Sequence, residues 1–411
     1  MQEKVRANKD ELLNLVADLI KIPNINPGGD QLPAIAFVEK YLNAAGILTE
    51  RVGDNPAFPS LIARIGEDSG FRLIANGHVD VVPVGDIKGW DFDPFCGTID
   101  ATTIKGRGTS DMKAGVAIIM FIMKLLKESG KKLNGDIRLH IVSDEETGGE
   151  YGTGWLCQNG YADGADACVV SEPTGDDNIE IGQKGRCHLI LKASGVPAHG
   201  SIGNYAGDNA ITKLSKVLVN IDSLTTVRGK FKDSQATALK NSRMIATKAI
   251  GEKAANAIDH LTANVGIING GTKLNMVPDY CEAHVDMRLP IGILREDIVE
   301  AVEALIDRSG AQGVEAEYIW GKSANYTDDD TQVVKVFHKY GEQILGTTIL
   351  PAYQWASSDA EFYRSLGIPT IQFGPANLPG IHSYNEDVDI EQVIRMAEVY
   401  MLAFCEMLEV D

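Results

Sequence analysis

Leu12, Leu13, Val16, Leu19 and Ile20 recur at helical spacing, so the chain opens on an amphipathic helix, with Asn8 and Glu11 placed to cap it as a reciprocal pair. Beyond Pro23 and the turn-forming run Asn24-Ile25-Asn26-Pro27-Gly28-Gly29, a second helix is predicted over 33–45. Short runs of branched apolar residues predict strands at 60–65, 72–75, 136–142, 167–170 and 369–373. Helices are predicted over 113–127, 331–344, 359–366 and 390–408. Strands alternating with helices argue for an α/β domain built on a mostly parallel sheet. The apolar run 114–123 is about half of the roughly 20 residues that cross a bilayer, so it reads as a buried core helix.

From 185 to 322 the pattern changes. A strand at 186–193 precedes a helix at 207–218; strands at 264–268 and 280–289 follow, then a helix at 295–308 and a strand at 314–320. That order, β-α-β-β-α-β, is the ferredoxin-like split unit. Within 280–289, Cys281, Ala283, Val285, Met287 and Leu289 alternate with Glu282, His284, Asp286 and Arg288, the signature of a sheet with one buried face and one polar face. The expected organisation is therefore a discontinuous α/β domain over 1–184 and 323–411, interrupted by a smaller α+β domain over 185–322. The polar stretch 225–260 has no assigned element.

A length of 411 residues supports more than one core. The formal charge of −19 argues against nucleic acid or an anionic membrane as partner, and the charged N-terminus carries no signal-peptide pattern. The six cysteines (96, 157, 168, 187, 281 and 405) form no CxxC pair and no short-loop framework, so a reducing cytoplasm is the expected location.

The chemistry gathers at the strand ends. Strand 72–75 leads into Asn76-Gly77-His78-Val79-Asp80, strand 136–142 into Ser143-Asp144-Glu145-Glu146, and strand 167–170 into Ser171-Glu172-Pro173. Strand 369–373 leads through Gly374 towards His382, and the helix at 113 is entered through Gly106-Arg107-Gly108-Thr109-Ser110-Asp111. In open α/β sheets the ligand crevice lies beyond the carboxyl ends of the strands. Taken singly, each piece has an ordinary use: Asp111 as a helix cap, Glu145-Glu146 as a solvated loop, either histidine as a surface or core residue. Together they form a set of imidazoles and carboxylates suited to zinc, with cobalt or manganese as substitutes. Three carboxylates, Asp111, Glu146 and Glu172, carry −3; two divalent ions and one hydroxide leave the cluster neutral, whereas one ion leaves it negative.

These segments, with Met112-Lys113, Thr174 and Gly380-Ile381-His382, resemble the family that contains acetylornithine deacetylase, succinyl-diaminopimelate desuccinylase, aminoacylase and glutamate carboxypeptidase, in the same order and nearly end to end. The resemblance implies a zinc-exopeptidase-like catalytic domain and an inserted lid that mediates homodimerisation. It implies an amide hydrolase with two zinc ions per chain, acting on a small N-acyl amino acid as a deacylase, or on a dipeptide as a dipeptidase or carboxypeptidase. His78 and Glu172 would hold one ion, Glu146 and His382 the other, and Asp111 would bridge them. Glu145 would be the general base, and Asp80 the carboxylate that orients His78.

By the same resemblance, His199 in Gly195-Val196-Pro197-Ala198-His199-Gly200-Ser201 would stabilise an oxyanion in a neighbouring subunit, and Asn275 and Arg288 would bind substrate. A turn histidine is the rival for His199 and a structural ion pair the rival for Arg288. Asp359 stands at a pocket position of the family or caps a helix. Ala114 replaces a glycine common after the motif's lysine. A non-catalytic metal-binding scaffold is the reading from another class, and Glu145 speaks against it, because a structural metal site has no use for a free base.

Overall fold

The computed structural model describes residues 1–410 and divides into two units. The larger comprises Met1–Ile181, Thr327–Ala352 and Ser358–Asp411; the smaller comprises Gly182–Tyr326 and Tyr353–Ser357.

In the larger unit, strands lie side by side in the order Thr49–Val52, Ser60–Gly66, Gly135–Val142, Phe71–His78, Ala167–Val170 and Thr370–Gln372. The first two pairings are antiparallel, and the remaining strands run parallel. Leu73, Ile74, Ala75, Ile137, Leu139, Ile141 and Val142 are all fully buried, as expected of parallel strands covered on both faces. His78 pairs with Val142 and Asn76 with Val170, so three adjacent strands finish within two residues of one another. Helix Ala114–Ser129 packs under that edge, buried continuously from Ala114 to Met123. Its approach requires glycine: a Cβ on Gly115 would lie 2.3 Å from the carbonyl oxygen of Ser171. Helices Gln332–Leu345 and Ile390–Met407 pack against each other through Phe337, Tyr400 and Phe404.

The expected cap at Asn8 does not form. Gln2–Ala7 is already helical, so Asn8 falls between two helices and its Nδ2 donates back to the Lys4 carbonyl (2.8 Å) instead of holding the start of Lys9–Ile20.

The smaller unit carries an antiparallel sheet in the order Thr262–Gly270, Tyr280–Leu289, Gly185–Ser194 and Val314–Trp320. Helices Ala210–Leu218 and Arg295–Ser309 complete the split β-α-β-β-α-β unit. Cys281, Ala283, Val285, Met287 and Leu289 face its core. The 225–260 stretch contains helix Ala236–Ile250 and short 3-10 turns, among them Asp233–Gln235 and Ala254–Ala257. No helix among the described residues is long and apolar enough to cross a membrane. None of the six cysteines forms a disulfide.

Candidate metal centre

The aligned strand ends deliver His78 directly. Its Nδ1 lies 2.9 Å from the backbone carbonyl of Asp80 and 3.5 Å from the Asp80 carboxylate. A proton on Nδ1 satisfies that carbonyl and leaves the Nε2 lone pair facing the site. The fully buried Asp80 carboxylate also accepts the backbone N–H groups of Glu145 (3.3 Å) and Glu146 (3.2 Å) and the Asn26 amide (2.8 Å). Asp80 thus fixes the imidazole through its backbone carbonyl, not the carboxylate expected to orient it, and its carboxylate fixes the Glu145–Thr147 turn, a single 3-10 turn rather than an extended segment.

Asp111 enters on the loop before helix Ala114–Ser129 and faces both imidazoles. Oδ1 is 3.1 Å from His78 Nε2, and Oδ2 is 3.2 Å from His382 Nε2. His382 Nε2 is also 3.3 Å from Glu146 Oε1. On the other side, His78 Nε2 is 3.8 Å from Glu172 and 4.0 Å from Glu145. Two sets therefore bring their ligand atoms within 4.8 Å of one another: His78, Asp111 and Glu146, and His78, Glu145 and Glu172. By distance alone, Glu145 is as much a candidate ligand as a candidate base. His382 adopts φ +57°, a left-handed conformation unusual for a residue with a side chain.

A family model described as Peptidase family M20/M25/M40 matches residues 74–406. The chain belongs to that family. Membership makes it a hydrolase of amide bonds, and its M20 relatives are of the same length. An N-formyl-4-amino-5-aminomethyl-2-methylpyrimidine deformylase of Bacillus subtilis (strain 168) is 26% identical over 98% of this chain and 97% of its own. A probable succinyl-diaminopimelate desuccinylase of Staphylococcus aureus (strain Mu50 / ATCC 700699) is 30% identical over 72% of each chain. A solved Bacillus subtilis protein described as a dinuclear metal-binding peptidase from the M20 family shares the fold, with a TM-score of 0.69 and 16% identity over 99% of this chain and 100% of that one.

The electrostatics of this candidate site call for added positive charge. Burial pushes Glu145, Glu146 and Glu172 above the usual carboxylate range, and the negative neighbours Glu172 for Glu145, and Asp111 for Glu146 and Glu172, push them further. Burial would lower His78, but hydrogen bonds to Asp111 and Asp80 outweigh it and hold the ring well above its ordinary value. Hydrogen bonds to Asp111 and Glu146 raise His382 to about 10. Asp111, although burial pushes it up, is held low by His382 and His78. Glu172 Oε1, buried, has no hydrogen-bond donor among the described residues. Acidic groups this crowded, with an oxygen left without a donor beside the His78 imidazole, suit divalent cations.

Glu386, a support of this candidate centre, carries no mark in the sequence pattern, and Arg107, Lys113 and Asp359 are marked only as parts of motifs. Glu386 accepts the N–H groups of Gly108 (3.1 Å), Ser110 (3.0 Å) and Asp111 (3.3 Å) and pairs with buried Arg107, so it shapes the loop that presents Asp111. Lys113, fully buried and lowered by burial to about 7, donates to the Leu19 (3.1 Å) and Ile22 (2.8 Å) carbonyls. Asp359 is buried and accepts from Thr153 Oγ1 (2.7 Å) rather than capping its helix with its side chain.

The remaining predicted residues lie in the smaller unit. His199 is exposed, its Nδ1 2.7 Å from Ser201 Oγ, and the Asn275 carbonyl accepts the Gly200 N–H at 2.8 Å, which brings His199 and Asn275 together. Arg288 is half-buried, with Nε 3.0 Å from Asp286 and Nη1 3.3 Å from Ser357 Oγ.

Proposed function

We propose that the chain removes the acyl group from a small N-acylated amino acid, using two divalent ions, zinc with cobalt or manganese as substitutes. His78 and Glu172 would hold one ion, Glu146 and His382 the other, with Asp111 between them. The observation that carries this reading is that each oxygen of Asp111 faces a different imidazole, at 3.1 and 3.2 Å. Bound there, the ions supply a polarised carbonyl and a water acidic near neutral pH.

The chain's own residues do the rest. Asp80 holds the His78 ring and the Glu145–Thr147 turn in fixed relation. Glu145 takes the proton from water as its oxygen attacks the acyl carbon, then delivers that proton to the amine nitrogen as the C–N bond breaks. Counting Glu145 as a ligand would leave the two-ion cluster with hydroxide at −1, and burial has already raised this carboxyl to suit proton transfer. In the smaller unit, Arg288 has the planar geometry to grip a substrate carboxylate bidentately, and Asn275, next to His199, would also bind substrate.

Glu145→Ala is expected to lose turnover by several powers of ten while its metal content, measured by plasma mass spectrometry, stays at the wild-type value. Retained turnover removes Glu145 from the chemistry. Substrate class is read from a panel of N-acetyl, N-succinyl and N-formyl amino acids against dipeptides, since the relatives include a desuccinylase and a deformylase while the family is described as peptidases. Preference for dipeptides would replace deacylation with the peptidase reading.

We further infer a cytoplasmic homodimer formed through the smaller unit, with His199 stabilising the oxyanion in the neighbouring copy. His199→Ala should lower kcat by a factor of about 100 or more with the melting temperature unchanged. Equal losses of activity and stability would make His199 a turn residue.

A further inference from the structure

The smaller unit contains a cavity of about 460 Å³ walled by parts of 230–235, 289–296 and 320–326. Its floor is apolar, formed by Leu289 and Ile291, each 5% exposed. Lys230, Lys232, Arg295 and Lys322 line it, and Glu296 is the one carboxylate among its described lining residues. In a chain with 57 acidic and 38 basic residues, that local balance is inverted.

The cations are organised. The Arg295 guanidinium lies 5.1 Å over the Trp320 ring, and Lys232 Nζ is 2.8 Å from the Tyr326 hydroxyl. Lys230 is paired with Asp297 at 2.8 and 2.9 Å and so contributes little net charge. Gln235, 3% exposed, accepts the Lys232 N–H through Oε1 (2.7 Å), while its Nε2 donor finds no acceptor among the described residues. Gly292, at φ +81°, lets two walls meet: a Cβ there would lie 2.1 Å from the Lys230 carbonyl oxygen. Helix Arg295–Ser309, 15 residues long, starts in the wall and adds the positive end of its dipole.

We propose that this cavity binds a phosphate monoester of metabolite size. The formal charges of Lys230, Lys232, Arg295 and Lys322 against Glu296 and the Lys230 partner Asp297 come to +2, which matches the charge of about −1.5 to −2 on a phosphoryl group near pH 7 and exceeds that of a monocarboxylate. Arg295, placed over the Trp320 ring, offers paired N–H donors to two phosphoryl oxygens. The volume exceeds what the phosphoryl group alone fills and falls in the range of small-molecule sites.

The test is calorimetric titration of the zinc-loaded full chain with ribose 5-phosphate, inorganic phosphate and succinate, with tryptophan fluorescence read in parallel. Ribose 5-phosphate should bind once per chain, at least about tenfold more tightly than inorganic phosphate or succinate, and perturb emission that Trp320→Phe removes. Combined Lys232→Ala and Arg295→Ala should weaken it by at least about tenfold. Both side chains are exposed, and an unchanged melting curve checks that this variant folds. Binding that survives the double replacement lies elsewhere, the metal centre included, and overturns the proposal. Equal affinity for succinate overturns the phosphoryl assignment, and equal affinity for inorganic phosphate overturns the monoester.

Discussion

Glu386 stands four residues beyond His382 in the chain, but its structural role lies on a different segment. Its Oε1 gathers three N–H groups of the 108–111 loop while its other oxygen meets Arg107, and both side chains are almost fully buried. Glu386→Gln keeps the shape and removes the charge, which leaves Arg107 buried without a counter-ion. Loss of one partner of such a pair costs about 3–5 kcal/mol. The variant should therefore melt at a lower temperature and retain less metal per chain, because Asp111 is no longer held between the imidazoles. A variant that matches wild type in both melting and metal content would show that the loop holds itself. The same contrast explains what was readable residue by residue. His78, Asp111, Glu145, Glu146, Glu172 and His382 stand out because their side chains have metal and proton chemistry and follow strand ends or, for Asp111, open a helix. Glu386 and Asn26 act on backbone N–H groups or on other side chains, and nothing in their own neighbourhoods of sequence marks them for the site.

At the scale of elements, legibility followed the size of the buried side chains. Phe71–His78, Gly135–Val142 and Ala114–Ser129 bury large branched or aromatic residues at regular intervals, and periodicity finds them to within a few residues. Helix Ala236–Ile250 buries Ala238, Ser242 and Ala246, spaced one turn apart but too small or too polar to register as a hydrophobic stripe. Ser242 adds its own reason for burial: its hydroxyl donates to the Ala238 carbonyl and accepts the Tyr353 N–H at 2.7 Å. The failed cap at Asn8 has another origin. A capping pair is read from a few residues, whereas the outcome depended on Gln2–Ala7 already being helical. The Glu145–Thr147 turn is likewise set from outside, by the Asp80 carboxylate drawing two successive N–H groups to itself and so winding the backbone.

For the whole molecule, the proposed metal centre would tie stability to both cation and proton concentration. In the metal-free chain, hydrogen bonds to Asp111 and Glu146 raise His382 to about 10, above its unfolded value of about 6.5. Its contribution to stability is fully present below the unfolded value and is lost as pH rises towards 10. His78 is shifted in the same direction. Protons thus occupy at low pH the role that cations take when bound, and a cation has to displace them, so its affinity grows with pH. A ligand at a hundredfold excess over its Kd stabilises the folded state by about 2.7 kcal/mol, and the effect follows Kd. Scanning calorimetry with zinc and with a chelator, at several values between pH 6 and pH 9, should show a gap in melting temperature that widens with pH from both causes at once: the metal-free chain loses its proton-held pairs while the loaded chain binds its ions more tightly. A gap that stays constant or narrows would mean that His78 and His382 do not exchange protons for metal, and the two imidazoles would have to be read as an ion-pair network with Asp111 rather than as ligands.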